Sequence, residues 1–277
     1  MTGSQKPVAA VSVESCDPIW IQMRDEAEAA VKAEQALGGF IFGNVLSHEK
    51  LECAVAHRVA RRVGSSDVDA GVISDAFDKV LEQSPELALV FRADLAAVYD
   101  RDPACARYLD PMLYFKGCHA LGTYRFAHRR FKLGRKDFAL FLQSQSSRTF
   151  GVDIHPLAKM GIGIMLDHAT GFVVGETAVV GDNCSFLHGV TLGGSGKDTG
   201  DRHPKIDDNV LIGAGAKVLG NIRIGRCSLV AAGSVVLRDV PAQTTVAGVP
   251  ARVVGPAGCP EPSLSMNQQF DSNDWTI

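Results

Sequence analysis

The sequence contains no apolar run approaching the roughly 20 residues a helix needs to cross a bilayer, so no membrane span is expected. Its opening residues, MTGSQKPVAAVSVESCDP, lack a basic segment followed by an apolar core, and no signal peptide is read there. Charge is nearly balanced, with 28 Lys and Arg against 31 Asp and Glu for a net −3. That balance gives no electrostatic reason to expect nucleic acid. Seven cysteines are scattered with no CxxC pair. An odd, dispersed set argues against a disulfide framework or a zinc finger and for reduced thiols in a cytoplasm. Phosphate-gripping loops are missing too. Gly196-Lys197 is preceded five positions earlier by Thr191 and followed by Asp198, so the G-x-x-x-x-G-K-[ST] pattern fails. GAGAKVLG has Val218 where a dinucleotide-binding fingerprint needs its third glycine.

What is present divides into two halves with different periods. The 277 residues, 46% hydrophobic and 21% charged, are those of a globular chain of one large or two ordinary domains. Residues 1–148 carry helical spacing. Asp17-Pro18 reads as an N-cap and first helical residue, followed by Ile19, Trp20, Met23, Ala27, Ala30 and Val31 at helical intervals up to Gly38-Gly39. Further helices are predicted from about Ser47 to Val63, from near Ser74, from Ser84-Pro85, from Asp110-Pro111 and over Asp137 to Ser147. A segment ending at Tyr99 stops before Asp102-Pro103. The basic stretch from Arg125 to Lys136 reads as a solvated or ion-paired helix face, with a partner site as the alternative.

From Phe150 the chain divides into sixes: FGVDIH, PLAKMG, IGIMLD, HATGFV, VGETAV, VGDNCS, FLHGVT, LGGSGK, and then, from Ile206, IDDNVL, IGAGAK, VLGNIR, IGRCSL, VAAGSV and VLRDVP. The first position is mostly apolar and the second often glycine. A period of six is the mark of a parallel β-helix, in which each hexad forms one short side and three sides close a coil of about 18 residues. The first and fifth positions are expected to point inward. A β-sandwich of short strands is the alternative, but it would not keep phase for so long. Eight residues, Asp198 to Lys205, interrupt the rhythm and are read as part of a loop, 193–205, extruded at a corner. His168 opens a hexad, where an apolar residue is normal, and follows Asp167; a charged pair that breaks a local rule marks a candidate functional site.

Three segments, DIHPLAKMGIGIMLDHATGFVVGETAVVGD, HGVTLGGSGKDTGDRHPKI and AGVPARVVG, together with RDPACARYLDPMLYFKGCHAL in the helical half, closely resemble serine acetyltransferases. The resemblance implies an α+β architecture: an N-terminal α-helical oligomerisation domain (1–148), a left-handed parallel β-helix (149–255) and a flexible C-terminal tail (256–277). The left-handed sense rests on the resemblance alone, since it runs against the usual crossover rule. The family forms homotrimers through the prism, often paired into hexamers. Its reaction moves acetyl from acetyl-CoA to the hydroxyl of L-serine, the first step of cysteine biosynthesis, without a metal.

Carried onto this sequence, the resemblance makes His168 the general base and Asp153, fifteen residues earlier, its partner. Fifteen is three short of a coil, so the two are expected to meet between adjacent turns. The serine pocket falls on Asp102, Asp167, Arg202 and His203. Arg202 suits the carboxylate through its bidentate fork, and Asp102 and Asp167 suit the ammonium. The extruded loop is then a device for carrying Arg202 and His203 to a histidine of the neighbouring subunit. Gly194, Ala214 and Lys217 are implied as CoA contacts. His188 stands where some relatives have glutamine and is given no role. L-cysteine is implied as a feedback inhibitor, and Ile277 as the residue that docks into O-acetylserine sulfhydrylase by its terminal carboxylate. The rival readings are an acetyltransferase for sugar or antibiotic hydroxyls, which would not need the Asp102, Asp167 and Arg202 set, a metal-dependent hexapeptide lyase, and a non-catalytic scaffold.

Overall fold

The computed structural model describes residues 17–196 and 199–268. Eight helices come first: α1 (Pro18–Ala33), α2 (Gly38–Ile41), α3 (Leu51–Val63), α4 (Ala70–Gln83), α5 (Leu87–Arg101), α6 (Leu109–Leu113), α7 (Lys116–Lys132) and α8 (Lys136–Phe150). Asp17 caps α1 as expected, accepting the Trp20 amide at 3.2 Å. Gly38 and Gly39 do not terminate a helix; they open α2. The longest helix, α7, is the one the sequence signals least, because its buried face includes His119, Thr123, Tyr124 and Arg125. Aromatic stacking of Phe77 on Phe126, with centroids 3.9 Å apart, joins α4 to α7.

The second half is a parallel β-helix of three faces. One face stacks Val152–Ile154, Phe172–Val174, Thr191–Gly193, Lys217–Leu219 and Val235–Val236. The second stacks Lys159–Met160, Val179–Val180, Lys205–Ile206 and Arg223–Ile224, and the third runs from Met165–Leu166 through Ser185–Phe186, Leu211–Ile212 and Leu229–Val230 to Thr244–Gly248. An antiparallel strand, Ala251–Pro256, closes the last face. Inward columns such as Ile154, Val174, Leu192, Val218 and Val236 are buried and stack from coil to coil.

The hexad frame needs one correction. Val173 pairs with Thr191, eighteen residues on, but Val152 pairs with Phe172 and Met165 with Ser185, twenty on. The first coil therefore holds two extra residues. In its three hexads the inward positions are third and fifth, and Ile162, which opens one of them, is 45% exposed. His168 does not open a hexad. It and Ala169 form the inserted turn, with φ of 54° and 57°. Two successive non-glycine residues in the left-handed region cost of order 1–3 kcal/mol each, a strain that clusters at functional sites. Thr191 pairs with Lys217, eight residues more than a coil of eighteen, but Gly193 and Lys205, both expected in the extruded loop, lie in the strands that bound it.

One continuous core runs through both halves, from Met23 and Phe77 to Val236 and Val246. The seam between them also contains Asp94 and Arg125. Arg125 donates to the carbonyls of Met160 (2.8 Å) and Gly161 (2.5 Å), while Asp94 Oδ1 accepts the Ile164 amide at 3.0 Å. The basic stretch thus begins with a buried, ion-paired arginine. Beyond the prism, Pro262–Ser265 forms a short helix, α9, with Pro262 and Ser263 buried. Ile277 lies outside the described residues.

Candidate active site

Two corners of the prism carry the residues singled out above. At the first, α5 ends and Asp102 takes an extended backbone as its C-cap, its Oδ1 accepting the Ala104 amide at 2.8 Å. The start of α7 lies directly on the third face. A Cβ on Gly117 would sit 2.1 Å from the Leu166 carbonyl oxygen, so this approach requires glycine. Leu166 leads straight into Asp167 and His168. The result is a cleft of about 1080 Å³ lined by Asp102, Asp167 and His168, with Tyr99, Lys116 and Met266 around them. Asp102 is thereby brought to the adjacent pair Asp167 and His168, some 65 residues on in the sequence.

The His168 ring is 75% exposed, with Nε2 3.7 Å from Asp167 Oδ1. It meets His188 of the next coil edge-on, centroids 5.9 Å apart. Asp153 makes no hydrogen bond or ion pair with His168 within the protomer. Its Oδ1 accepts from Gln143 Nε2 at 2.6 Å. The two-residue insertion explains the offset, because Asp153 lies opposite Val173, five residues beyond His168.

At a different corner stand Arg202 and His203. Arg202 Nη2 donates to Glu176 Oε2 at 2.7 Å and its Nη1 to the Gly200 carbonyl at 3.1 Å. The Arg202 guanidinium holds the Glu176 carboxyl below its ordinary range. His203 is buried, and its Nδ1 accepts the Thr177 amide at 3.2 Å. That contact leaves Nε2 as the protonated nitrogen. Burial, reinforced by Arg202, pushes the His203 pKa down, which keeps the ring neutral. The ring fills the space over Gly175, where any Cβ would lie 2.0 Å from Nε2. Glu176 and Thr177 escaped the sequence reading, because their partners sit one coil away across the extruded loop.

The three implied CoA contacts divide in the same way. Gly194 lies beside Arg202, with a Cβ there 3.6 Å from the Arg202 carbonyl oxygen. Ala214 follows His168 and His188 up the first corner, where Gly215 donates to the His188 carbonyl at 2.8 Å and Gly233 to that of Ala214 at 2.8 Å. Lys217 is exposed nearby, its Nζ donating to the Gly215 carbonyl at 2.5 Å. Among the described residues no group of three His, Cys, Asp or Glu is arranged to hold a metal ion. No described helix is long and apolar enough to cross a membrane.

Known proteins match both halves. Residues 19–123 match the N-terminal region of serine acetyltransferases, and residues 203–238 match the bacterial transferase hexapeptide repeat. Serine acetyltransferase of Salmonella typhimurium is 48% identical over 258 residues, covering 93% of this chain and 94% of its own length. The chain belongs to the serine acetyltransferase family. The fold agrees: serine acetyltransferase of Brucella abortus, solved with coenzyme A, superposes with a TM-score of 0.88 at 58% identity, over 90% of this chain and 100% of that one. A serine acetyltransferase solved in complex with cysteine gives 0.89 at 43% identity, over 91% and 98% of the two chains. Membership makes the chain an acyltransferase of the hexapeptide-repeat class.

Proposed function

We propose that this chain transfers the acetyl group of acetyl-CoA to the L-serine hydroxyl, at a site completed between two protomers of a trimer. The observation that carries the reading is the division of the site. Asp102, Asp167 and His168 share one cleft, while Arg202 and His203 are fixed at another corner of the same prism. A threefold assembly sets the first corner of one protomer against the second of its neighbour. Asp102 and Asp167 then face the serine ammonium and Arg202 its carboxylate, with Glu176 holding the guanidinium fork in place. Gly194, Ala214 and Lys217 line the path of CoA between the two prisms.

His168 takes the hydroxyl proton as the serine oxygen attacks the thioester carbonyl. The C–S bond breaks, and the proton passes to the departing CoA thiolate. A general base of this kind supplies roughly 10²–10⁴-fold, and holding both substrates together supplies much of the rest. Asp153 is the orienting partner of His168 in this reading. L-cysteine shares the ammonium and carboxylate that the pocket recognises, so it competes at the serine site. The complexes of relatives with coenzyme A and with cysteine support both ligand assignments. Ile277 is assigned to capture by O-acetylserine sulfhydrylase; removing it should abolish that complex and spare acetyl transfer, and unchanged co-purification refutes the assignment.

The divided site has a direct test. His168→Ala and Arg202→Ala proteins are each expected to be nearly inactive. When the two are unfolded together in equal amounts and refolded, about one interface in four carries both native groups. CoA release with L-serine should therefore recover to about a quarter of wild type. No recovery, with mixed trimers present, overturns the shared site.

A further inference from the structure

Arg101 is a buried cation, 8% exposed, at the last position of α5 and the residue before Asp102. Among the described residues no carboxylate pairs with it. Its Nη1 donates to the Gly163 carbonyl at 3.0 Å and to Ser185 Oγ at 3.1 Å, and its Nη2 to Asn183 Oδ1 at 3.4 Å. A desolvated guanidinium without a counter-ion is expensive, and a neutral side chain would be the cheaper way to fill the space. The geometry shows what the charge and its planar fork hold. Gly163 begins the short segment that becomes Met165, Leu166, Asp167 and His168. Asn183 and Ser185 belong to the coil above. Ser185 Oγ in turn donates to the Ser263 carbonyl of α9 at 2.8 Å, and α9 runs into Ser265, Met266 and Gln268 on the cleft rim.

We infer that Arg101 is a positioning residue for the amino-acid half of the cleft, fixing Asp102 relative to Asp167 and His168 and, through Ser185, seating α9 against the same cleft. One guanidinium thus sets three walls that come from distant parts of the chain. The role in substrate binding rests on the proposed assignment of serine to Asp102 and Asp167; the seating of α9 does not.

Two readouts separate these. In steady-state kinetics, Arg101→Met should raise the KM for L-serine about tenfold or more, the usual consequence of losing hydrogen bonds to a charged group, while the KM for acetyl-CoA stays within about twofold. Arg101→Lys, which keeps the charge but not the fork, should recover part of the loss. An unchanged serine KM in folded Arg101→Met protein overturns the positioning role. The second readout is the rate of chymotrypsin cleavage after Leu264 and Met266, followed by mass spectrometry without substrates. Both Arg101→Met and Ser185→Ala should speed it severalfold. Cleavage at the wild-type rate in both overturns the link to α9, whatever the enzyme acetylates. If wild-type protein does not turn over L-serine while cleavage responds, the serine assignment fails and the structural link stands.

Discussion

Asp94 and Arg125 face each other bidentately in the seam between the helices and the β-helix, with Nε to Oδ2 and Nη2 to Oδ1 both at 3.1 Å. Both side chains are buried, and each also bonds to backbone of the first coil. Removing one partner leaves the other charge without compensation. Arg125→Met is expected to destabilise the protein by about 3–5 kcal/mol, read as a lower urea midpoint. Adding Asp94→Leu should lose much less than the sum of the two single variants, because the orphaned charge is gone.

Gly117 meets the Leu166 carbonyl too closely for any side chain. Gly117→Ala should push α7 away from the strand that leads into Asp167 and His168, at a cost of about 1–3 kcal/mol in stability. Activity measured at a temperature where the variant is fully folded should still fall, since a displacement of about 1 Å at the reacting groups can cost 10²-fold. A folded variant with wild-type turnover counts against the positioning of the site by this contact.

His119 provides a pH signature. Its Nε2 donates to the Met112 carbonyl at 2.8 Å and its Nδ1 accepts from Arg62 Nη1 at 3.5 Å, which fixes a neutral tautomer. Burial drives its pKa down to about 3. Unfolded, the ring titrates near 6.5 and binds a proton the folded protein refuses. The stability it contributes is complete above that pH and is lost as pH falls towards the folded value, on the order of 5 kcal/mol in all. His119→Gln, which keeps a donor for Met112, should show a shallower loss of urea stability between about pH 6.5 and pH 4.

The two carboxylates assigned to the reaction should separate kinetically. Asp153→Asn is expected to lower kcat with little change in the serine KM, as for a residue that orients a base. Asp167→Asn is expected to raise the serine KM. Steady-state kinetics with CoA release as the readout distinguishes them, and the reverse pattern would exchange the two roles.

Much of the architecture was legible in the sequence because it is local and repetitive. The six-residue period forces short sides and corners whatever lies next to them, and the eight-residue excess before Ile206 had to leave the wall. The same rhythm misled at His168. Two inserted residues look like part of a hexad until the pairing of Val152 with Phe172 reveals a longer coil. Helix α7 was obscured because Tyr124 and Arg125 face inward, satisfied by the carbonyls of Ala158, Met160 and Gly161 rather than by an apolar environment.

The sequence by itself determined the period and the place of the insertion, since these depend on spacing along the chain; the roles proposed for the site residues rest on the resemblance to serine acetyltransferases. Only the tertiary structure decided which of them share a corner. Stacking of coils and the close approach of α7 placed Asp102 with Asp167 and His168, and fixed Arg202 on Glu176 elsewhere. Such neighbours are set by packing across dozens of residues, and no local pattern encodes that distance.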